Sequence, residues 1–255
     1  VNVSRRQFLI IGGAALAAMA VPLPVSARKD TVVPVLMYHD VSNHFHDPFT
    51  ISPALFAAHM EWLHAAGYRA VTVGEALAGR GATAGKMVVI TFDDGYASFL
   101  DYVHPLLLQY GFSAAISVIG SHVGTWLERD GRRPMLSWDE YRYLAARRVE
   151  VGCHAYHLHA IERLRHASAD ELAEDLELFQ KTMAREMGRR ATLLAWPYGI
   201  YTSERVQIAR QAGFVHILTS NEGYVDDGTD PGAIPRLNID NRLDLVSFSN
   251  YLRGE

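Results

Sequence analysis

Apolar residues in this chain fall into short continuous runs separated by amphipathic stretches, and the two kinds alternate from about residue 33 to the end. The runs near 33–38, 69–73, 87–92, 113–119, 148–153, 191–196 and 214–219 are apolar at consecutive positions, as expected of strands buried on both faces of a parallel sheet. Several intervening stretches carry clear helix starts. Ser137 with Glu140, and Ser168 with Glu171, form capping boxes, and Ser52-Pro53 opens a helix that should stop near Gly67. Another helix is expected over Tyr96–Tyr110. Alternating strands and helices predict parallel βα units, so the expected fold is α/β: a distorted (β/α) barrel of about seven parallel strands in a single domain. The charged positions of Glu171–Arg190 read as a solvated helix face.

The first 27 residues stand outside this alternation. Ser4-Arg5-Arg6-Gln7-Phe8-Leu9-Ile10 leads into an apolar, small-residue stretch, and Val25-Ser26-Ala27 offers a cleavage site. This reads as a twin-arginine export signal over 1–27, with the functional domain over 28–255 and a periplasmic or extracellular destination. Phe8–Val21 is short of the about 20 apolar residues that span a bilayer, an uncleaved anchor being the alternative. Arg5 and Arg6 are the charged residues of that segment, so its removal takes the net charge from −4 to −6. Such a charge carries no nucleic-acid footprint. Hydrophobic residues make up 49% of the chain, enough for a sizeable core. The lone Cys153 excludes an internal disulfide and, next to His154 on a strand, should face away from it into the core.

Candidate chemistry sits where the runs end. Met87-Val88-Val89-Ile90 leads into Thr91-Phe92-Asp93-Asp94-Gly95, a buried strand reaching a polar mouth. Neighbouring strand side chains point to opposite faces, so the two acids can serve one site only if the chain bends, and Gly95 permits a bend. One carboxylate can then bind a divalent cation while the other takes a proton. The plainer alternative is that both acids cap the following helix. The strand over 148–153 ends in His154-Ala155-Tyr156-His157-Leu158-His159, where His154 and His159 can converge only across a turn; His154 ranks first as a ligand, His159 second and His157 third. Trp196-Pro197-Tyr198-Gly199 closes another run, with a simple strand-to-turn exit as the alternative reading. Pro34–Tyr38 ends in His39, which could instead be bonded to Asp40 or to a loop.

These segments resemble the polysaccharide deacetylases of carbohydrate esterase family 4 (NodB homology), over roughly residues 33–250. More narrowly they are similar to the biofilm branch acting on poly-β-1,6-N-acetylglucosamine, which shares the long His154-to-His159 spacing; the commoner family spacing would put the second ligand at Leu158. The resemblance implies Asp94, His154 and His159 as metal ligands, Asp93 as general base, the backbone N–H of Tyr198 as an oxyanion donor and His39 as general acid. Ala195 stands where the family carries an arginine that holds the base, and Arg236 is the expected substitute from another strand. The implied cofactor is a divalent ion, zinc by default, with nickel, cobalt or iron suiting the same ligands. The implied reaction is hydrolysis of N-acetyl groups on an N-acetylglucosamine-containing polysaccharide, in association with exopolysaccharide synthesis or export machinery. Trp196, Tyr96 and Tyr156 are expected as sugar platforms, and Trp126 and Trp138 as core. Two other readings use the same residues: an O-acetyl esterase or other amide hydrolase, and a catalytically silent glycan-binding partner.

Overall fold

The strands in chain order are β1 Val33–Tyr38, β2 Asp40–Val41, β3 Thr50–Ile51, β4 Arg69–Ala70, β5 Met87–Phe92, β6 Ala114–Val118, β7 Trp126–Glu128, β8 Arg132–Pro134, β9 Val149–Cys153, β10 Leu193–Ala195, β11 His216–Leu218, β12 Tyr224–Val225 and β13 Leu237–Asn238. They come from a computed structural model that describes residues 32–79 and 86–254, so the twin-arginine segment lies outside the described residues. Nine strands form one curled sheet in the order β11-β10-β9-β6-β5-β1-β12, with β4 on β5 and β13 on β1. All its pairings are parallel except that of β12, which runs antiparallel to β1. Each expected run contains a strand, several of them shorter than the apolar run that marked them.

Residues 234–238 lie between the two ends of this sheet. Ile234 bridges Leu218 at the end of β11, and Leu237 and Asn238 pair with Leu36 and Met37 of β1. That segment was not among the apolar runs, being short and interrupted by Pro235 and Arg236, although Arg236 was expected to come from a strand of its own.

The two-residue period of a strand explains how apolar runs also deliver polar groups. Leu36 and Tyr38 of β1, and Val88, Ile90 and Phe92 of β5, join the large core beneath the helices. Val33, Val35, Met87 and Val89 belong to a second core, shared with Ala115, Leu193, Ala195 and Leu218. Continuing the second set places Met37, His39, Thr91 and Asp93 on the inner side. Cys153 falls in the large core with Val149 and Val151, so His154 takes the opposite direction.

The helices Pro53–Ala65, Trp138–Ala145 and Ala169–Met187 begin as their capping residues predict, with both capping boxes formed. The helix expected at 96 starts later, with a π turn at Phe99–Val103 that passes into an α-helix at His104–Tyr110. The face of Glu171–Arg190 is not wholly solvated, because Asp175 is buried and serves the site described below. Trp126 is 47% exposed rather than core; it sits on the β7–β8 hairpin with the Arg132 guanidinium 4.0 Å from its ring. Trp138 packs against the large core.

Candidate active site

Asp93 continues β5, and the chain then turns sharply: Asp94 has φ 74° and Gly95 φ 100°. The bend thus begins at Asp94 itself, a residue type that tolerates the left-handed region. Gly95 is further constrained, since a Cβ there would lie 2.3 Å from the Tyr141 hydroxyl. This turn directs both neighbouring acids to the mouth of the barrel. Neither caps the following helix, since their oxygens are engaged elsewhere.

The second ligand-bearing segment also depends on a turn, with Ala155 at φ 65°. What fixes it is Asp175 on the long helix: its carboxylate accepts from the backbone N–H groups of Tyr156 at 2.7 Å, His157 at 2.7 Å and Leu158 at 3.1 Å. Leu158 is thereby buried in the core, His157 is exposed, and His159 is swung back toward β9. His157, the third-ranked ligand, thus lies outside the group that forms.

That group is Asp94, His154 and His159, whose donor atoms all lie within 4.8 Å of one another. Asp94 Oδ1 faces His159 Nε2 at 3.1 Å and His154 Nε2 at 3.5 Å. The His154 ring is oriented by Ala195, whose carbonyl lies 2.8 Å from Nδ1, which leaves Nε2 toward the acid. One carboxylate and two imidazoles, all buried, are able to hold a divalent metal ion. Burial pushes the His154 pKa down to about 4, against the opposing pull of Asp93, so its lone pair is free at neutral pH. Burial raises Asp94, but the hydrogen bond and charge of His159, with His39 and His154, outweigh it and hold the carboxyl well below its usual range.

Arg236 reaches the site from the segment between β11 and β1 and grips Asp93 with both arms, Nη1 to Oδ1 at 2.9 Å and Nη2 to Oδ2 at 2.8 Å. Its Nε donates to the Thr219 carbonyl at 2.8 Å, and the side chain is fully enclosed. Burial pushes the Asp93 pKa up, yet the charge of Arg236, then His154 and the hydrogen bonds of Arg236, bring it below the ordinary value.

A cavity of about 370 Å³ lies over these groups, and its lining includes His39, Phe49, Arg129 and Tyr198. The His39 ring packs on Phe49 with centroids 4.8 Å apart, and its buried Nδ1 has no hydrogen-bond partner among the described residues. Asp40, an expected alternative partner, is bound to Ser98 and Arg133 instead. Burial lowers the His39 pKa, opposed by Asp94 and Asp93. Tyr198 adopts φ 55°, and its half-exposed ring lies 5.5 Å from that of His159.

The expected aromatic platforms are placed differently. Trp196 belongs with Leu194 to the large core and is 1% exposed, because strand alternation turns it outward from the barrel; it contributes to the cavity lining but offers no free ring face. Tyr96 is buried and donates its hydroxyl to Asp94 Oδ2 at 2.9 Å. Tyr156 is half-buried, its ring seated so close to Gly120 that a Cβ there would come within 2.3 Å. Besides the buried Trp196, Tyr198 and Phe49 line the cavity with aromatic rings.

Sequence reasoning missed Asp175, Phe49 and Arg129. Arg129 stands at the tip of the β7–β8 hairpin and donates Nη1 to Asp94 Oδ2 at 3.0 Å. The Asp130-Gly131 pair was a legible hairpin signal, and both residues have positive φ.

A curled parallel barrel presenting two carboxylates and two imidazoles at its strand ends places the protein among the α/β-barrel hydrolases. The polysaccharide deacetylase family model matches residues 80–217, and the chain belongs to that family. It is 26% identical over 234 residues to YxkH of Bacillus subtilis (strain 168), a match covering 90% of this chain and 79% of that protein. It is 23% identical over 255 residues to the poly-beta-1,6-N-acetyl-D-glucosamine N-deacetylase of Escherichia coli (strain K12), covering 85% of this chain but 38% of that relative's length. Among solved structures, IcaB from Ammonifex degensii superposes with a TM-score of 0.77 at 27% identity, covering 87% of this chain and 96% of IcaB. The fold is shared as well with the Streptococcus pyogenes deacetylase PplD, with a TM-score of 0.75 at 21% identity, covering 87% and 98% of the two chains.

Proposed function

We propose that this protein is an exported, metal-dependent N-deacetylase that removes acetyl groups from an N-acetylglucosamine-containing polysaccharide, with residues 1–27 as its export signal and 28–255 as the catalytic domain. The observation that carries the reading is the division of labour between two adjacent acids: Asp94 joins His154 and His159, while Asp93 is set apart by Arg236. A site built only to bind a metal has no use for the second carboxylate.

Asp94, His154 and His159 would hold the ion, with zinc the first choice. When bound, the ion supplies Lewis acidity, polarising the acetyl carbonyl and acidifying water. Asp93, kept ionised and fixed by Arg236, accepts the proton of the attacking water. The backbone N–H of Tyr198 donates to the developing oxyanion. His39 protonates the departing nitrogen as the C–N bond breaks, giving acetate and a glucosamine amine. Tyr198 and Phe49 offer ring faces to the sugar. The poly-β-1,6-linked polymer is the leading substrate, on the strength of the resemblance to the Escherichia coli and Staphylococcus aureus deacetylases named for it. Exopolysaccharide synthesis or export machinery is the expected cellular setting.

Acetate release from β-1,6- and β-1,4-linked N-acetylglucosamine oligomers, compared with O-acetylated glycans, tests this reading. Release from the N-acetylated oligomers, abolished by Asp93→Asn, is expected. Release from O-acetyl esters alone would reassign the scissile bond, and binding to immobilised glycan without turnover would make the protein a glycan-binding partner.

A further inference from the structure

The two oxygens of Asp94 face different company. Oδ1 is turned to His154 and His159, whereas Oδ2 accepts from the Tyr96 hydroxyl at 2.9 Å and from Arg129 Nη1 at 3.0 Å. The two donors also touch each other, Arg129 Nη1 lying 3.4 Å from the Tyr96 oxygen.

Neither donor is a loosely held surface group. Tyr96 is buried, and its backbone bridges Met135 just beyond β8. Arg129 is anchored through Arg133, a fully buried residue whose Nε donates to the Arg129 carbonyl at 2.7 Å. Arg133 in turn donates Nη1 to Asp40 Oδ2 at 3.0 Å and to Thr50 Oγ1 at 2.7 Å, and pairs with Asp47. The hairpin tip is thus tied to β2 and β3. This buried polar structure fixes the backbone from which Arg129 reaches the buried Asp94.

An unrestrained carboxylate can meet a cation with one oxygen or two. We propose that Tyr96 and Arg129 are positioning residues that reserve Oδ2 and confine ligation by Asp94 to Oδ1. The inference rests on the metal-site reading above and adds a role for two residues outside it. In charge alone, Arg129 opposes a cation at this site; its hydrogen bond orients the carboxylate that the cation needs. The two effects have opposite signs in metal affinity, which makes them separable.

The test is metal affinity of the stripped full-length protein, measured by competition with a chromophoric chelator, together with the visible absorption of the cobalt-loaded form. Tyr96→Phe and Arg129→Ala are each expected to weaken metal binding, by the about 10- to 100-fold typical of residues that orient a ligand, and Arg129→Lys to recover most of the loss. The cobalt band of the double variant should shift and weaken as Oδ2 becomes free to bind. Unchanged affinity and spectrum, or tighter binding in Arg129→Ala, would overturn the inference. Arg129→Ala, at a hairpin tip, keeps the test valid if Tyr96→Phe fails to fold. A wild-type protein that binds no ion would defeat the metal-site reading itself, an outcome distinct from a wild type that binds one ion and variants that bind it equally well.

Discussion

Asp93 and Asp94 are chemically identical neighbours whose partners give them different work. The Arg236 fork leaves Asp93 ionised but immobile, and its removal would strand a buried charge. Arg236→Ala is therefore expected to cost about 3–5 kcal/mol of stability in denaturant titration. Because the charge of Arg236 is what outweighs burial at Asp93, the variant should also move the acid limb of the pH profile of kcat/KM upward; Arg236→Lys, which keeps the charge without the fork, should recover part of both. His39→Gln should lower kcat by about 10²-fold or more while leaving metal affinity unchanged, as for the loss of a general acid. At this scale residue type and strand end marked the two acids and ranked His154 and His159, whereas the choice of Asp94 as ligand and of Arg236 as partner for Asp93 came from the family resemblance; the structure groups Asp94 with His154 and His159 and pairs Arg236 with Asp93. The sequence was least informative about aromatic rings. Proximity to a motif suggested Trp196 and Tyr96 as sugar platforms, but strand parity turns the first into the core, and beyond the Asp94–Gly95 turn the second donates to Asp94.

At the scale of elements, the loop 155–159 shows why local sequence was insufficient. Its shape is imposed by Asp175, remote in sequence and camouflaged among the charges of an amphipathic helix. Asp175→Ala would leave three buried or half-buried N–H groups without their acceptor, at about 1–3 kcal/mol each in the unrelaxed limit. The expected result is a large fall in melting temperature and weakened metal binding; a variant with native affinity would show that the loop holds itself. Strands were legible because buried parallel strands are apolar runs, and helix starts because their caps are local. The β7–β8 hairpin went unread because its strands are short and offer no continuous apolar run. A further element-scale prediction concerns His59, buried between the helices Pro53–Ala65 and Leu245–Arg253. It stacks on Phe248 at 3.8 Å, with Nδ1 3.1 Å from the Tyr38 hydroxyl. Burial pushes its pKa from 6.5 down to about 4. Between those values the unfolded chain takes up a proton that the folded protein refuses, so stability is full above pH 6.5 and falls as the pH drops toward 4. The size is about 3 kcal/mol, at about 1.36 kcal/mol per pKa unit. His59→Gln should flatten the dependence of unfolding free energy on pH across that window; an unchanged slope would place the titration elsewhere.

Over the whole molecule, the curled sheet brings together residues separated by nearly two hundred positions, from His39 to Arg236, because parallel strands present all their C-terminal ends on one side. The alternation of runs and helices made that barrel legible. The closing segment at 234–238 was less so, since a short stretch broken by proline gives no strand signal of its own, although it delivers Arg236. No helix among the described residues is long and apolar enough to cross a membrane. The central claim is that one ion held by Asp94, His154 and His159 is required for turnover with Asp93 as base. The most direct measurement is acetate release by metal-stripped protein titrated with zinc, alongside His159→Ala and Asp93→Asn. The account predicts activity rising to a plateau at one ion per chain, a His159→Ala variant that regains little at the same ion concentration, and an Asp93→Asn variant that binds the ion and releases no acetate. Full activity in the stripped protein, or in Asp93→Asn, would contradict it.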